Sequence, residues 1–223
     1  MKNIEVKGAI LEFMRRKCYA PLNAEALIAE IPIEGPQLSE FWKSLLELEA
    51  NGEIIKTRFA TFGLPEKMGL VAGRFQLTSK GFGFVIPDNK GEGPDVFIPP
   101  RALNGAMNND RVMARVESRV GGKKPEGEII RIITRANNKV VGVFIKTGDF
   151  GFVVPDDKRI GQDIYIARKN FGGAKPNQKV VVEVTTWPEE RKSAEGKIIE
   201  ILGNLGDVGL EILSIIKQND LPL

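Results

Sequence analysis

The chain has 223 residues, of which 42% are hydrophobic and 27% charged, with a formal net charge of +3 at pH 7. This composition is typical of a globular protein with one large or several small domains. It contains no histidine and only one cysteine, Cys18, which excludes histidine-dependent catalysis, an intrachain disulfide and a cysteine-rich zinc site. The N-terminus lacks a signal-peptide pattern, and no apolar run approaches the ~20 residues of a membrane-spanning helix. We therefore expect a cytoplasmic protein that does not bind membranes.

Residues 1–70 are predicted to form three helices followed by a pair of strands. The apolar positions at helical spacing in the first and third helices are Val6, Ala9, Ile10, Phe13, Leu38, Phe41, Leu45 and Leu48. Asn23 precedes a short second helix, and Asn51-Gly52 ends the third. A strand pair is predicted over 54–62. Three helices followed by a hairpin are typical of a winged-helix domain.

The next part of the chain contains an internal repeat, because short sequence blocks return in the same order 68 or 69 residues later. The blocks 83–88, 95–98, 109–112 and 127–130 match 151–156, 163–166, 177–180 and 196–199. We therefore predict two copies of one domain, at residues 71–137 and 138–203.

Each copy is predicted to be a small β-barrel. In the first copy, predicted strands over 71–78, 82–87, 96–98, 112–118 and 127–133 are separated by clusters of glycine, proline and asparagine. Five short strands in a unit of this size are typical of an OB-type Greek-key barrel. The expected fold class is α+β and multidomain, with an N-terminal winged helix-turn-helix followed by two five-stranded OB-type barrels.

Residues 204–223 depart from the repeat. A helix is predicted over 208–219, with Leu210, Leu213, Ile216 and Leu221 on or near one side. The sequence offers no evident partner for this apolar stripe. We interpret the segment as a linker helix that leads toward a further domain outside the chain.

Aromatic residues recur at matching positions in the predicted strands of both copies. Side chains alternate between the two faces of a strand, so Phe82 and Phe84 share a face. Phe97 lies outside the first barrel if its aliphatic neighbours face the interior. The second copy repeats these positions with Phe150, Phe152 and Tyr165.

These rings have two possible roles. Nucleobases stack on exposed aromatic side chains for ~1–3 kcal/mol each, and basic neighbours such as Arg74 and Lys80 hold phosphates. The alternative is that the rings are ordinary barrel core. We favour nucleic-acid stacking because the arrangement is repeated and because Gly83 and Gly151 leave space between the aromatic residues.

The motifs of the first copy resemble those of cold-shock domains. Lys80-Gly81-Phe82-Gly83-Phe84-Val85 resembles the first ribonucleoprotein motif of that family, and Val96-Phe97-Ile98 resembles the second. The resemblance places Phe75 where the family usually has a stacking tryptophan, and Pro99 replaces a common histidine. In the second copy Gly148-Asp149 replaces the lysine, so Asp149 is expected to repel phosphate. Phe144 and Lys146 are expected to compensate for this in part.

The order of the three predicted domains and the tail resembles the N-terminal part of the ribonuclease R family. The resemblance implies a processive, Mg²⁺-dependent 3′-to-5′ exoribonuclease whose catalytic domain follows this segment in the same polypeptide. That domain holds its metal with clustered aspartates, and no such cluster is evident in the sequence. We therefore expect no catalytic residues, no metal site and no cofactor in this chain, which should be inactive alone.

Charge differs among the predicted domains. Residues 1–70 carry a net charge of −1, residues 71–137 a net charge of +4, and residues 138–223 none. The first barrel is therefore the best electrostatic site for a polyanion. The predicted third helix exposes Glu40, Lys43 and Glu47, a poor surface for a DNA major groove, so duplex DNA is not an expected partner.

The expected function is to bind single-stranded RNA and guide it to a downstream hydrolytic domain. Two alternatives stay open at the level of sequence. One is a stand-alone RNA chaperone of the cold-shock type, and the other is a transcriptional regulator that uses the winged helix.

Overall fold

The computed structural model of the chain describes residues 3–16, 18–33, 35–88, 93–117, 125–189 and 192–218. The N-terminal part contains the helices α1 (Asn3–Arg15), α2 (Ala24–Glu30) and α3 (Leu38–Ala50) and the strands β1 (Leu22–Asn23), β2 (Ile55–Lys56) and β3 (Thr61–Gly63). The strands form an antiparallel sheet in the order β1-β3-β2. The three predicted helices and the hairpin are confirmed, whereas β1 is too short to produce a sequence pattern.

Helix packing in this part follows the apolar spacing. Phe41 and Leu45 on α3 are buried in one cluster with Ile10 and Met14 on α1. Helix α2 begins at a local cap, because the Asn23 side chain accepts a hydrogen bond of 2.8 Å from the backbone N–H of Ala26. The opposite side of α3 keeps Trp42 and Leu46 exposed.

Ten further strands form two five-stranded units. The first unit contains β4 (Leu70–Leu77), β5 (Gly83–Pro87), β6 (Val96–Ile98), β7 (Arg111–Val116) and β8 (Gly127–Thr134). The second contains β9 (Lys139–Thr147), β10 (Phe150–Pro155), β11 (Ile164–Ala167), β12 (Gln178–Thr186) and β13 (Glu195–Asn204). The five predicted strands of the first copy are confirmed, with boundaries shifted by one or two residues where the structure describes them.

The two units share one strand order. β9 to β13 form a closed barrel in the order β10-β11-β13-β12-β9, in which β11 and β13 pair in parallel. β4 to β8 form the corresponding sheet β6-β5-β4-β7-β8. Its ends meet where the Phe97 N–H donates to the Pro125 carbonyl at 2.8 Å, beside a bridge between Phe97 and Glu126. This is the strand order of an OB-type barrel.

The two barrels are packed against each other through two segments of the first copy, the turn before β7 and the residues after β8. Met107 of the first copy is buried in the core of the second barrel. Arg135, just after β8, donates to the buried Asp110 carboxylate at 2.9 Å and stacks over the Trp187 ring at 5.5 Å. The Ala136 N–H donates to the other Asp110 oxygen at 2.9 Å. The connection between the barrels is therefore held by partly buried hydrogen bonds to a buried carboxylate.

The C-terminal helix α4 (Leu210–Gln218) packs on the second barrel. Leu210 and Ser214 are buried, and the Lys217 ammonium lies 3.0 Å from the Glu200 carboxylate on β13. The interpretation that this apolar stripe has no partner in the chain is therefore wrong for Leu210. Its last member, Leu221, lies outside the described residues. In the described part of the chain, no helix is long and apolar enough to cross a membrane.

Candidate nucleic-acid interface

Three aromatic side chains form a cluster on the outside of the first barrel, which we call the first platform: Phe82, Phe84 and Phe97. Their ring centroids lie 5.5 to 5.9 Å apart, in edge-to-face or tilted arrangements. Strand register brings them together, because Phe84 of β5 pairs with Phe97 of β6 on one side and with Gln76 of β4 on the other. All three rings are partly exposed. The structure thus brings together the three aromatic residues that the motifs indicated.

The second barrel repeats this arrangement in the second platform: Phe150, Phe152 and Tyr165. Their ring centroids are 5.6, 5.8 and 5.9 Å apart. Phe152 of β10 pairs with Tyr165 of β11, as Phe84 pairs with Phe97 in the first barrel. Phe150 is 36% exposed, and the other two rings are partly exposed. The interpretation that all these rings are barrel core is therefore wrong, although each keeps part of its surface against the strands.

Phe75 and Phe144 were predicted to bind RNA, and this prediction is wrong because both side chains are 0% exposed. Phe75 lies on β4 between Arg74 and Gln76, which face solvent, and alternation along the strand turns its ring into the barrel. Phe144 occupies the same position on β9 and packs in the core of the second barrel. A base therefore cannot stack on either ring in this fold.

The buried rings explain Gly83 and Gly151. A Cβ atom at Gly83 would collide with the Phe75 ring, and a Cβ atom at Gly151 would collide with the Phe144 ring. The expectation that these glycines leave space between exposed aromatic residues is therefore wrong. They leave space for one large buried ring in each barrel.

Two cations flank the first platform. Arg74 is exposed on the outer face of β4, and Lys80 is exposed in the turn between β4 and β5, two residues before Phe82. That turn is closed by hydrogen bonds between Thr78 and Phe82, and Gly81 within it has a φ of +83°. Neither Arg74 nor Lys80 forms an ion pair with a described residue, so both are available to an anionic ligand.

Lys146 does not share a face with the second platform. It is exposed on β9 and pairs with Gly151, whereas its neighbour Ile145 pairs with Phe152. Since successive residues of a strand point to opposite faces, Ile145 stands beside the aromatic rings and Lys146 does not. The expectation that Lys146 compensates for the missing lysine is therefore wrong.

Other polar residues surround the second platform and were not indicated by the sequence motifs. The Arg168 guanidinium lies 2.6 Å from the Asp149 carboxylate, so the charge expected to repel phosphate is neutralised. Lys192, Ser193 and Glu195 line a cavity of about 380 Å³ together with Phe152 and Tyr165. The one available signal was the repeat itself, which places a glutamate before Gly127 and before Gly196.

The described acidic residues form no cluster of potential metal ligands. Among them there is no group of three or more metal-ligating side chains close enough to hold an ion. The Asp156 carboxylate accepts from the Lys179 ammonium at 2.8 Å. Burial alone would raise the pKa of Asp157, but hydrogen bonds from the Arg159 side chain and backbone N–H outweigh burial and lower it. The carboxylates of Asp156 and Asp157 thus bind basic side chains of the protein itself.

Comparisons with known proteins agree with this architecture. Residues 73–132 match the family model of the ribonuclease B OB domain, and residues 152–223 match that of the cold shock domain. Ribonuclease R of Thermotoga maritima is 38% identical over 79% of this chain and 24% of its own length. Ribonuclease R of Escherichia coli strain K12 is 30% identical over 96% of this chain and 26% of its own length.

One solved structure with a similar fold is that of Mycoplasma genitalium RNase R in complex with ribose methylated single-stranded RNA. It superposes with a TM-score of 0.61 over 68% of this chain and 24% of that chain, at 19% identity. The chain thus spans about a quarter of the length of these proteins. It is homologous to the N-terminal region of ribonuclease R and contains OB-type and cold-shock barrel domains.

Proposed function

We propose that this chain binds single-stranded RNA on its two aromatic platforms and guides the strand to the hydrolytic domain of a 3′-to-5′ exoribonuclease of the ribonuclease R type. The observation that carries the proposal is the first platform. The centroids of three partly exposed rings lie within 5.9 Å of one another, beside Arg74 and Lys80, which form no ion pair with any described residue. Aromatic stacking combined with backbone cations is the common chemistry of single-strand binding.

Single strands suit these platforms better than duplexes do. The bases of a duplex are already stacked on one another, so an aromatic side chain reaches the face of a base only where the strand is open. Stacking also tolerates different bases, because every base has a π-face. Stacking by itself therefore lets strands of different sequence bind.

The delivery role rests on the homology. The ribonuclease R relatives are about four times longer than the matched segment, and their names describe ribonucleases. In this proposal the present chain supplies RNA binding, and any Mg²⁺-dependent hydrolysis takes place in another part of the polypeptide. The proposal does not require the isolated chain to degrade RNA.

We further propose that residues 1–70 are a winged-helix domain. Its support is the element order α1-β1-α2-α3-β2-β3 and the sheet order β1-β3-β2, in which the hairpin β2-β3 forms the wing. Duplex DNA is not proposed as its ligand. The Lys7 and Lys43 ammonium groups pair with Glu47 on α3, and Trp42 and Leu46 give this helix an apolar exposed side.

Competition binding tests the proposal. A fluorescently labelled oligoribonucleotide long enough for both barrels, at ~4–16 nucleotides per barrel, is bound by the chain and then displaced. We expect unlabelled single-stranded RNA to displace it at far lower concentrations than duplex RNA or duplex DNA of the same length. Displacement by duplex DNA at equal or lower concentrations would contradict the proposal and favour a transcriptional regulator.

A further inference from the structure

We propose that the second platform contains a guanine-selective subsite, in which the Glu195 carboxylate and the Lys192 ammonium bind the Watson–Crick edge of a base stacked on the aromatic rings. This inference rests on the proposed RNA binding and adds a base preference to it. The site is the cavity of about 380 Å³ lined by Phe152, Tyr165, Lys192, Ser193 and Glu195. Its volume lies within the range of small-ligand pockets.

The backbone fixes Glu195 beside the platform. Glu195 on β13 pairs in parallel with Tyr165 on β11, and the Tyr165 N–H donates to the Ala194 carbonyl at 2.8 Å. The Glu195 carbonyl also accepts from the Thr185 hydroxyl at 3.2 Å. The first residues of β13 alternate between exposed and buried, beginning with the exposed Glu195. Glu195 pairs with Tyr165, so its side chain shares a face with the Tyr165 ring.

Guanine matches the polar groups of this cavity. Its Watson–Crick edge presents two adjacent donors, N1–H and the N2 amino group, next to the O6 acceptor. An ionised carboxylate only accepts hydrogen bonds and has two oxygens, so Glu195 fits both donors. The Lys192 ammonium lies 3.7 Å from the Glu189 carboxylate and has three donors, so one of them fits O6. Adenine, cytosine and uracil each place an acceptor next to their donor on this edge, and that acceptor would face the carboxylate unfavourably.

The first platform has an equivalent glutamate, Glu126, but its carboxylate takes part in an ion pair. Glu126 bridges to Phe97 as Glu195 pairs with Tyr165. The Arg101 guanidinium lies 3.4 Å from the Glu126 carboxylate and uses part of its acceptor capacity. Among the described residues, Glu195 forms no ion pair, and Arg168 is paired with Asp149. The two platforms are thus specialised, the first for charge and the second for base identity.

The test compares oligouridylates that differ at one central base. The wild-type chain should bind the oligonucleotide with one guanosine at least about fivefold more tightly than the one with adenosine, since a good bidentate contact discriminates by ~1–3 kcal/mol. Inosine, which lacks the N2 amino group, should give an intermediate affinity. This comparison needs no variant protein.

Glu195→Gln should reduce the guanosine preference below about twofold without abolishing the binding of all-uridine RNA. Glu126→Gln is the matched control, because that carboxylate is held by Arg101, and it should keep the full preference. Equal wild-type affinities for guanosine and adenosine, or a preference that persists in Glu195→Gln, would overturn the subsite alone. Failure of the wild-type chain to bind any of these oligonucleotides would overturn the proposed RNA binding as well.

Discussion

Single positions along β4 decide which side chains hold the first barrel together and which can meet a ligand. Phe75 points inward and is fully buried, whereas Arg74 and Gln76 on either side of it are exposed. Phe84 pairs with Gln76 and therefore lies on the outer face. Two phenylalanines of neighbouring strands thus have opposite roles, one in the core and one on the surface.

The same substitution, phenylalanine to alanine, should therefore affect mainly stability at Phe75 and mainly RNA binding at Phe84. Phe75→Ala should lower the free energy of unfolding by about 3–5 kcal/mol, because it leaves a large cavity in the core. Phe84→Ala should cost clearly less stability, because its ring is already partly exposed, and should weaken RNA binding by ~1–3 kcal/mol. Urea denaturation and anisotropy titration measure the two quantities. Equal losses of stability in the two variants would contradict the assignment of Phe84 to the surface.

At the scale of secondary-structure elements, the turn before each aromatic strand distinguishes the two barrels. In the first barrel the turn contains Lys80 and is closed by hydrogen bonds between Thr78 and Phe82. In the second barrel Thr147 pairs with Phe150, so the turn shortens to Gly148-Asp149. The lysine is lost with the extra residue, and Asp149 pairs instead with Arg168.

The salt dependence of RNA binding should reflect this difference. Phosphate contacts to single strands contribute a slope of about −0.7 each to the dependence of log affinity on log salt. Replacing Arg74 and Lys80 together by alanine should therefore flatten the slope by about one unit or slightly more. Lys146→Ala should change it by well under one unit, because Lys146 lies off the aromatic face. A larger change in the Lys146 variant than in the Arg74/Lys80 variant would show that the phosphate contacts lie mainly on the second barrel, contrary to this account.

The elements and both platforms could be predicted from the sequence, because alternation and turn residues are local signals. Asn109 and its counterpart Asn177 both have a positive φ, at equivalent turns of the two barrels. The three aromatic residues of each platform follow the motif directly. Their convergence depends on the pairing of neighbouring strands, and the observed register confirms it.

The error at Lys146 follows from the register of the repeat. Phe144 and Lys146 lie 69 residues after Phe75 and Leu77, whereas the blocks 83–88, 95–98 and 109–112 that follow the turn are offset by 68. Lys146 therefore corresponds to Leu77, which points inward, and not to Lys80. The ion pairs of Asp149 and Glu126 were also invisible in the sequence, because they join residues that are distant along the chain.

At the scale of the whole molecule, buried contacts hold the two barrels in a defined relation. Asp110 is fully buried and accepts from Arg135 and from the Ala136 N–H, while Arg135 stacks on Trp187 of the second copy. The N-terminal part is joined to the first barrel by Arg111, which donates to the Asn51 carbonyl at 2.6 Å. A strand bound to both platforms would therefore meet a preorganised surface, which lowers the entropic cost of binding.

The most direct test of the account removes each platform as a unit and measures affinity for single-stranded RNA. Phe82, Phe84 and Phe97 are replaced by alanine in one variant, and Phe150, Phe152 and Tyr165 in a matched variant, with circular dichroism as the control for folding. Because each stacked base contributes ~1–3 kcal/mol, the first variant should lose a few kcal/mol of binding free energy while remaining folded. The second should lose a smaller and less salt-dependent share. A folded first variant that binds RNA as tightly as the wild-type chain would contradict the claim that the aromatic platforms bind RNA.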